Sequence, residues 1–194
     1  TPSDVELVYA GQEVSIVDAA TGFNNERQKI RIEAVKSLEQ DETFGIGMNG
    51  EIKEVSFGLY AKEEIKAADG SIIPADGLIE IAFCAEDGSI VFQSDVPFGK
   101  YYVKEYATNE HYLMSGIAYV FEFAYAGQEI STVKVALKDG DAIENTLKRG
   151  KIEGLKVDGE DKGLAGATFG LFDEWATEYT AENAYMTVVS DETG

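Results

Sequence analysis

The chain has 194 residues, 44% hydrophobic and 11% aromatic, which is ample apolar material for a packed core and too much for a disordered chain. Its formal net charge of −20, without any run of lysine or arginine, repels nucleic-acid phosphates and anionic lipid, so neither is an expected partner. Its lone cysteine, Cys84, and lone histidine, His111, leave no intrachain disulfide, zinc cluster or Cys-His catalytic pair to build, and no apolar run approaches the ~18 residues that span a bilayer.

From the N-terminus onward the sequence repeats itself. Tyr9-Ala10-Gly11-Gln12-Glu13 returns as Tyr125-Ala126-Gly127-Gln128-Glu129, and Phe57-Gly58-Leu59-Tyr60 returns as Phe169-Gly170-Leu171-Phe172. Asn25 stands eleven residues before Lys36, and Asn145 stands eleven before Lys156, so both residues recur at a spacing of 120. Such a spacing marks domain-sized repeats, with each boundary between an Asn and the next Lys. The chain then divides into the C-terminal tail of a preceding repeat (1–27), one complete repeat (28–149) and the N-terminal part of a following repeat (150–194). Both ends fall inside a repeat, so a piece of a longer protein is expected. The connectors Asn25-Glu26-Arg27-Gln28 and Thr146-Leu147-Lys148-Arg149-Gly150 are too short to be flexible spacers, and neighbouring repeats are expected to abut as each other's partners.

Inside the complete repeat the hydrophobic period is two, the signature of strands. Ile30, Ile32, Ala34 and Lys36 share one face of the first strand, and Lys29, Arg31, Glu33 and Val35 share the other. In chain order a short helix is expected over 61–68, where Ala, Lys and Glu favour it, and further strands over 55–60, 78–84, 90–92, 101–105, 118–125, 132–137 and 142–145. Asp69-Gly70, Asp87-Gly88, Pro97-Phe98-Gly99 and Asp139-Gly140 mark turns. This many short strands in one unit predicts an all-β fold, an antiparallel Ig-like or prealbumin-like β-sandwich repeated in tandem. Cys84 reads as a small strand residue and His111 as a loop residue. Gly163, Gly166 and Gly170 lack the Gly-Lys-Ser/Thr of a phosphate loop, and the calcium-like run opened by Asp158 would end on Phe169 where a bidentate Glu is needed. No metal and no cofactor is expected.

Three polar residues break the apolar stripes. Lys36 lies on the face of Ile32 and Ala34, Glu105 on that of Tyr101 and Val103, and Asn145 on that of Ile143 and Leu147. Buried singly, such groups are destabilising unless they meet one another. If they meet, desolvation disfavours the charged forms of amine and carboxyl alike, and a neutral Lys36 could attack the side-chain carbonyl of Asn145. Glu105 would donate a hydrogen bond to the amide oxygen and relay protons to the departing ammonia. The pattern alone equally admits an ordinary pair, with Lys36 snorkelling at a strand end and Glu105 as its counter-ion.

The run Tyr101-x-Val103-x-Glu105, followed by Thr108 and Tyr112, resembles the E-box of CnaB-type (SpaA-type) domains of Gram-positive pilins and surface adhesins. The stretch from Lys151 through Lys156-Val157-Asp158 to Phe172 resembles the opening of such a domain, where the lysine before Val-Asp is the bond-forming one. The resemblance implies an intramolecular isopeptide bond between Lys36 and Asn145 with Glu105 as its acid, and makes Lys156 and Asn25 unpaired half-sites. Departures fall in flanking turns: Thr108-Asn109 and His111 replace the usual Ala-Pro and Gly, and Ser37-Leu38 rather than Val-Asp follows Lys36. The implied role is a non-enzymatic stalk or backbone domain, extracellular and anchored to a cell wall. The alternative is an adhesive module that recognises a host glycan or protein, with Tyr101, Tyr102, Tyr106, Tyr112, Tyr119 and Tyr125 forming an exposed platform.

Overall fold

The computed structural model describes residues 26–67 and 69–194; Asn25, the tail 1–25 and the first copy of the Tyr-Ala-Gly-Gln-Glu repeat lie outside that range. Among the described residues, 29–145 hold ten strands: β1 (Lys29–Leu38), β2 (Ser56–Ala61), β3 (Ile65–Lys66), β4 (Ile72–Ile73), β5 (Leu78–Phe83), β6 (Ser89–Val91), β7 (Gly99–Ala107), β8 (Ala118–Phe123), β9 (Thr132–Ala136) and β10 (Ala142–Asn145). Short 3-10 turns occupy Glu51–Glu54 and Leu137–Gly140. The alternation read from the sequence is the alternation of burial: in β1, Ile32, Ala34 and Lys36 are buried while Arg31 and Val35 are exposed. Among the described residues no helix is long and apolar enough to cross a membrane.

Eight of these strands form two four-stranded sheets, and β3 and β4 pair with each other. One, in the order β5-β2-β7-β8, is antiparallel throughout. In the other, β6 pairs antiparallel with one edge of β1, while β9 and then β10 run parallel along its opposite edge. The tight turn between β9 and β10 sidesteps the chain there, with Lys138 and Asp139 in the left-handed region and Leu137 buried. The structure agrees with the expected antiparallel sandwich except in these pairings of β1 with β9 and β10, which are parallel. Period-two patterning records which face a side chain takes and nothing about strand direction. Ile32, Ala34, Ile90 and Ile143 from one sheet meet Phe57, Leu59, Tyr101, Val103 and Phe123 from the other in one apolar core, each large side chain contributing about 1.5–3 kcal/mol by burial.

The helix expected over 61–68 is also corrected. Ala61 ends β2 and pairs with Tyr101, and Ile65–Lys66 pairs antiparallel with Ile72–Ile73. Burial of Ile65 in the core overrides the helix propensity of the neighbouring Lys and Glu residues.

Beyond the sandwich, β11 (Thr168–Leu171) and β12 (Met186–Val189) form an antiparallel pair. Local arrangements of the first unit recur there. The Lys36 N–H donates to Gly88 O at 2.8 Å, and the Lys156 N–H donates to Gly194 O at 2.7 Å, both glycines having positive φ. Gly58 leaves room for the Tyr60 ring as Gly170 does for the Phe172 ring. Phe57 pairs with Ala82 in one unit, and Phe169 pairs with Val188 in the other.

Candidate functional site

Lys36 sits on the inward face of β1 near its end. The parallel register pairs Lys36 with Ile143 and Leu38 with Asn145, which places the Asn145 side chain two residues along the same inward face. Glu105 comes from β7 in the facing sheet, beside Phe57 of β2. All three are buried, at 2%, 3% and 2% exposure for Lys36, Glu105 and Asn145.

The carboxylate of Glu105 is the hub. Its Oε1 lies 3.4 Å from Lys36 Nζ and accepts a hydrogen bond from Asn145 Nδ2 at 2.6 Å. Its Oε2 accepts the backbone N–H of Ser115 at 2.6 Å. Asn145 Nδ2 also donates to Thr108 Oγ1 at 3.1 Å. The Phe57 ring closes the pocket with its centroid 5.9 Å from Lys36 Nζ. The expected contact of Glu105 is with the amide oxygen; the structure places the amide nitrogen against it instead, with the hydroxyl of Thr108 on the same nitrogen.

Burial holds Lys36 below the usual lysine range, outweighing the attraction of Glu105 and the smaller pull of Cys84 and Glu144. Burial also pushes the Cys84 thiol up to about 12, so Cys84 is an inert wall of the same region. A separation of 3.4 Å is longer than a charge-assisted hydrogen bond, at about 2.7–2.9 Å. Lys36 Nζ and Asn145 Oδ1 are buried without any hydrogen-bond partner. Two orphaned polar atoms in one dry pocket are a large destabilisation for an ordinary ion pair to carry. An amine, a carboxyl group and a primary amide held together out of water are the components of an amide exchange.

Lys156 is half-buried; its Nζ donates to Val157 O at 3.2 Å, and among the described residues it makes no ion pair. The expected partner half-site, Asn25, is outside the described residues. His111 is an exposed loop residue. The six tyrosines do not assemble into one exposed row. Tyr101 and Tyr112 are core, Tyr119 packs partly buried against it, Tyr102 stacks on Tyr60 at 5.0 Å, and Tyr106 and Tyr125 are exposed. Ser115 carries no signal in the sequence, because a backbone N–H donor leaves no mark in residue type, and Thr108 is visible there only as part of a motif.

No family model matches the chain, and no curated protein matches it. Among solved structures it is similar to the Bacillus anthracis TIE protein, at 19% identity over 88% of this chain and 26% of that one, with a TM-score of 0.46. It is likewise similar to GBS52, the minor pilin of the Gram-positive Streptococcus agalactiae, at 18% identity over 65% of this chain and 48% of that one, TM-score 0.38. A C-terminal fragment of the pilus adhesin SpaC from Lactobacillus rhamnosus GG aligns at 14% identity over 86% and 68%, TM-score 0.41. The chain thus spans about a quarter to a half of the first two, and these neighbours include a minor pilin and a pilus adhesin.

Proposed function

We propose that residues 28–149 are a self-crosslinking β-sandwich of an extracellular, wall-anchored stalk or backbone protein, one unit of a tandem array that continues into 150–194. The observation that carries this reading is the buried Lys36-Glu105-Asn145 constellation with two unpartnered polar atoms, Lys36 Nζ and Asn145 Oδ1. Neutral Lys36 Nζ adds to Asn145 Cγ, the Cγ–Nδ2 bond breaks, and one lysine proton passes through Glu105 to the departing nitrogen, which leaves as ammonia. The product is one secondary amide, which removes the orphaned buried amine. Pre-orientation in the pocket supplies about 7–11 kcal/mol of the barrier, so no cofactor is needed for a single turnover. Repetition of the Lys-Gly backbone pairing and of the Phe-Gly-Leu-aromatic packing beyond residue 150 supports the tandem arrangement.

Closing the loop of about 110 residues between Lys36 and Asn145 stabilises by roughly 4–5 kcal/mol, on the disulfide loop-entropy scale. The intact mass tests the reading: the purified chain is expected to weigh about 17 Da less than its sequence, and Glu105→Ala to restore the full mass. A wild-type mass equal to the sequence value overturns the proposal.

A further inference from the structure

Thr108 touches the reacting amide without any role in the reaction written above. Its Oγ1 accepts one hydrogen of Asn145 Nδ2 at 3.1 Å, and Glu105 Oε1 accepts a hydrogen from the same nitrogen at 2.6 Å. The two acceptors flank the nitrogen that leaves. The loop that carries Thr108 is fixed independently of that amide. Asn109, 8% exposed, donates to Glu54 Oε2 at 2.9 Å and accepts the His111 N–H at 3.0 Å. Tyr112 bridges to Leu147, and the Leu113 N–H reaches Thr146 O at 2.9 Å. The loop is therefore stitched to the chain just after Asn145, which holds the backbone that carries Thr108 beside the amide before any chemistry begins. In the resemblance drawn from the sequence this position is an alanine, so the hydroxyl is a feature of this chain.

We propose that Thr108 is a second catalytic group of the crosslink, its hydroxyl oxygen turning the Asn145 nitrogen toward Glu105 and stabilising the positive charge that nitrogen gains on protonation. The inference rests on the crosslinking reading. In the resting amide Nδ2 is a neutral donor, and its bond to Thr108 is ordinary. Once Lys36 Nζ has added to Cγ, the nitrogen lone pair is no longer delocalised, and Nδ2 takes the proton that Glu105 relays from the lysine. Its N–H groups are then charged donors, and hydrogen bonds to them strengthen as the transition state forms. Thr108 keeps its own proton throughout, the Nζ–Cγ bond replaces the Cγ–Nδ2 bond, and ammonia is the only product released.

The test is the rate of mass loss in freshly synthesised protein, made in a cell-free system and sampled by intact mass spectrometry. Thr108→Val, which keeps the shape and removes the acceptor, is expected to slow the loss by about tenfold or more, and Thr108→Ser to stay within about twofold of wild type. A structural control comes from the Glu105→Ala background, which does not crosslink. There Thr108→Val is expected to leave the melting temperature nearly unchanged. Wild-type speed in Thr108→Val overturns the role, as does an equal slowing in Thr108→Ser or a large drop in melting temperature in the control background. A wild-type chain that never loses the mass overturns the crosslinking reading itself, which separates the two failures.

Discussion

The reactivity proposed for Lys36 would come from its address. An amine attacks only when unprotonated, and burial holds Lys36 below the usual lysine range although Glu105 of β7, Glu144 of β10 and Cys84 all favour the charged form. The sign follows directly: with the folded value lowered, Lys36 loses its proton at a pH where an exposed lysine is still fully charged. The crosslinking rate is therefore expected to climb with pH below the normal lysine range and to level off once the amine is neutral, as followed by timed intact-mass sampling. A rate independent of pH from neutral to alkaline solution would mean that deprotonation of Lys36 is not part of the slow step. Lys36, Glu105 and Asn145 were legible in the sequence because each sits at an inward position of a strand whose other inward residues are apolar. The groups that orient them were not. Ser115 acts through its backbone, and Thr108 lies in a loop where no periodicity assigns a side chain to a face.

At the scale of elements, the turn between β5 and β6 sets the position of Lys36 along β1. Gly88 accepts the Lys36 N–H at 2.8 Å with φ of +79°, and a Cβ added there would run into the Lys36 carbonyl oxygen. The left-handed backbone and the close approach both require glycine. Gly88→Ala is expected to destabilise the domain by about 1–3 kcal/mol, measured by denaturant unfolding in the Glu105→Ala background so that the crosslink does not mask the loss. The same substitution is expected to slow crosslinking, since it shifts the strand that carries the amine; an unchanged stability would show that the turn does not constrain β1. Asp87-Gly88 marks this turn in the sequence plainly. Asp139-Gly140 marks the turn between β9 and β10 too, but the parallel course of both strands along β1 left no mark, since a turn signal does not say that the chain sidesteps there, with Lys138 as well as Asp139 in the left-handed region.

Across the whole molecule, the parallel pairing of β1 with β10 gives the proposed crosslink a mechanical meaning. Chain enters through β1 and leaves through β10 in the same direction, so tension on the two ends shears these strands past each other, and the proposed Lys36-Asn145 amide would lie across that shear plane. Such an array needs each amine paired only inside its own sandwich. Lys156 shares the backbone setting of Lys36, donating its N–H to the positive-φ Gly194, yet its Nζ bonds to Val157 O and it makes no ion pair among the described residues. The proposed reaction needs a carboxyl group to take the lysine proton and hand it to the leaving nitrogen, so Lys156 is expected to remain a free amine. Tryptic mapping decides the matter. An abundant branched peptide joining Lys36 to Asn145 is expected, together with complete cleavage after Lys156. A branched peptide joining Lys156 to Asn25 would show that proximity alone drives the exchange, and the acid role of Glu105 would then fall even if the Lys36 crosslink were present.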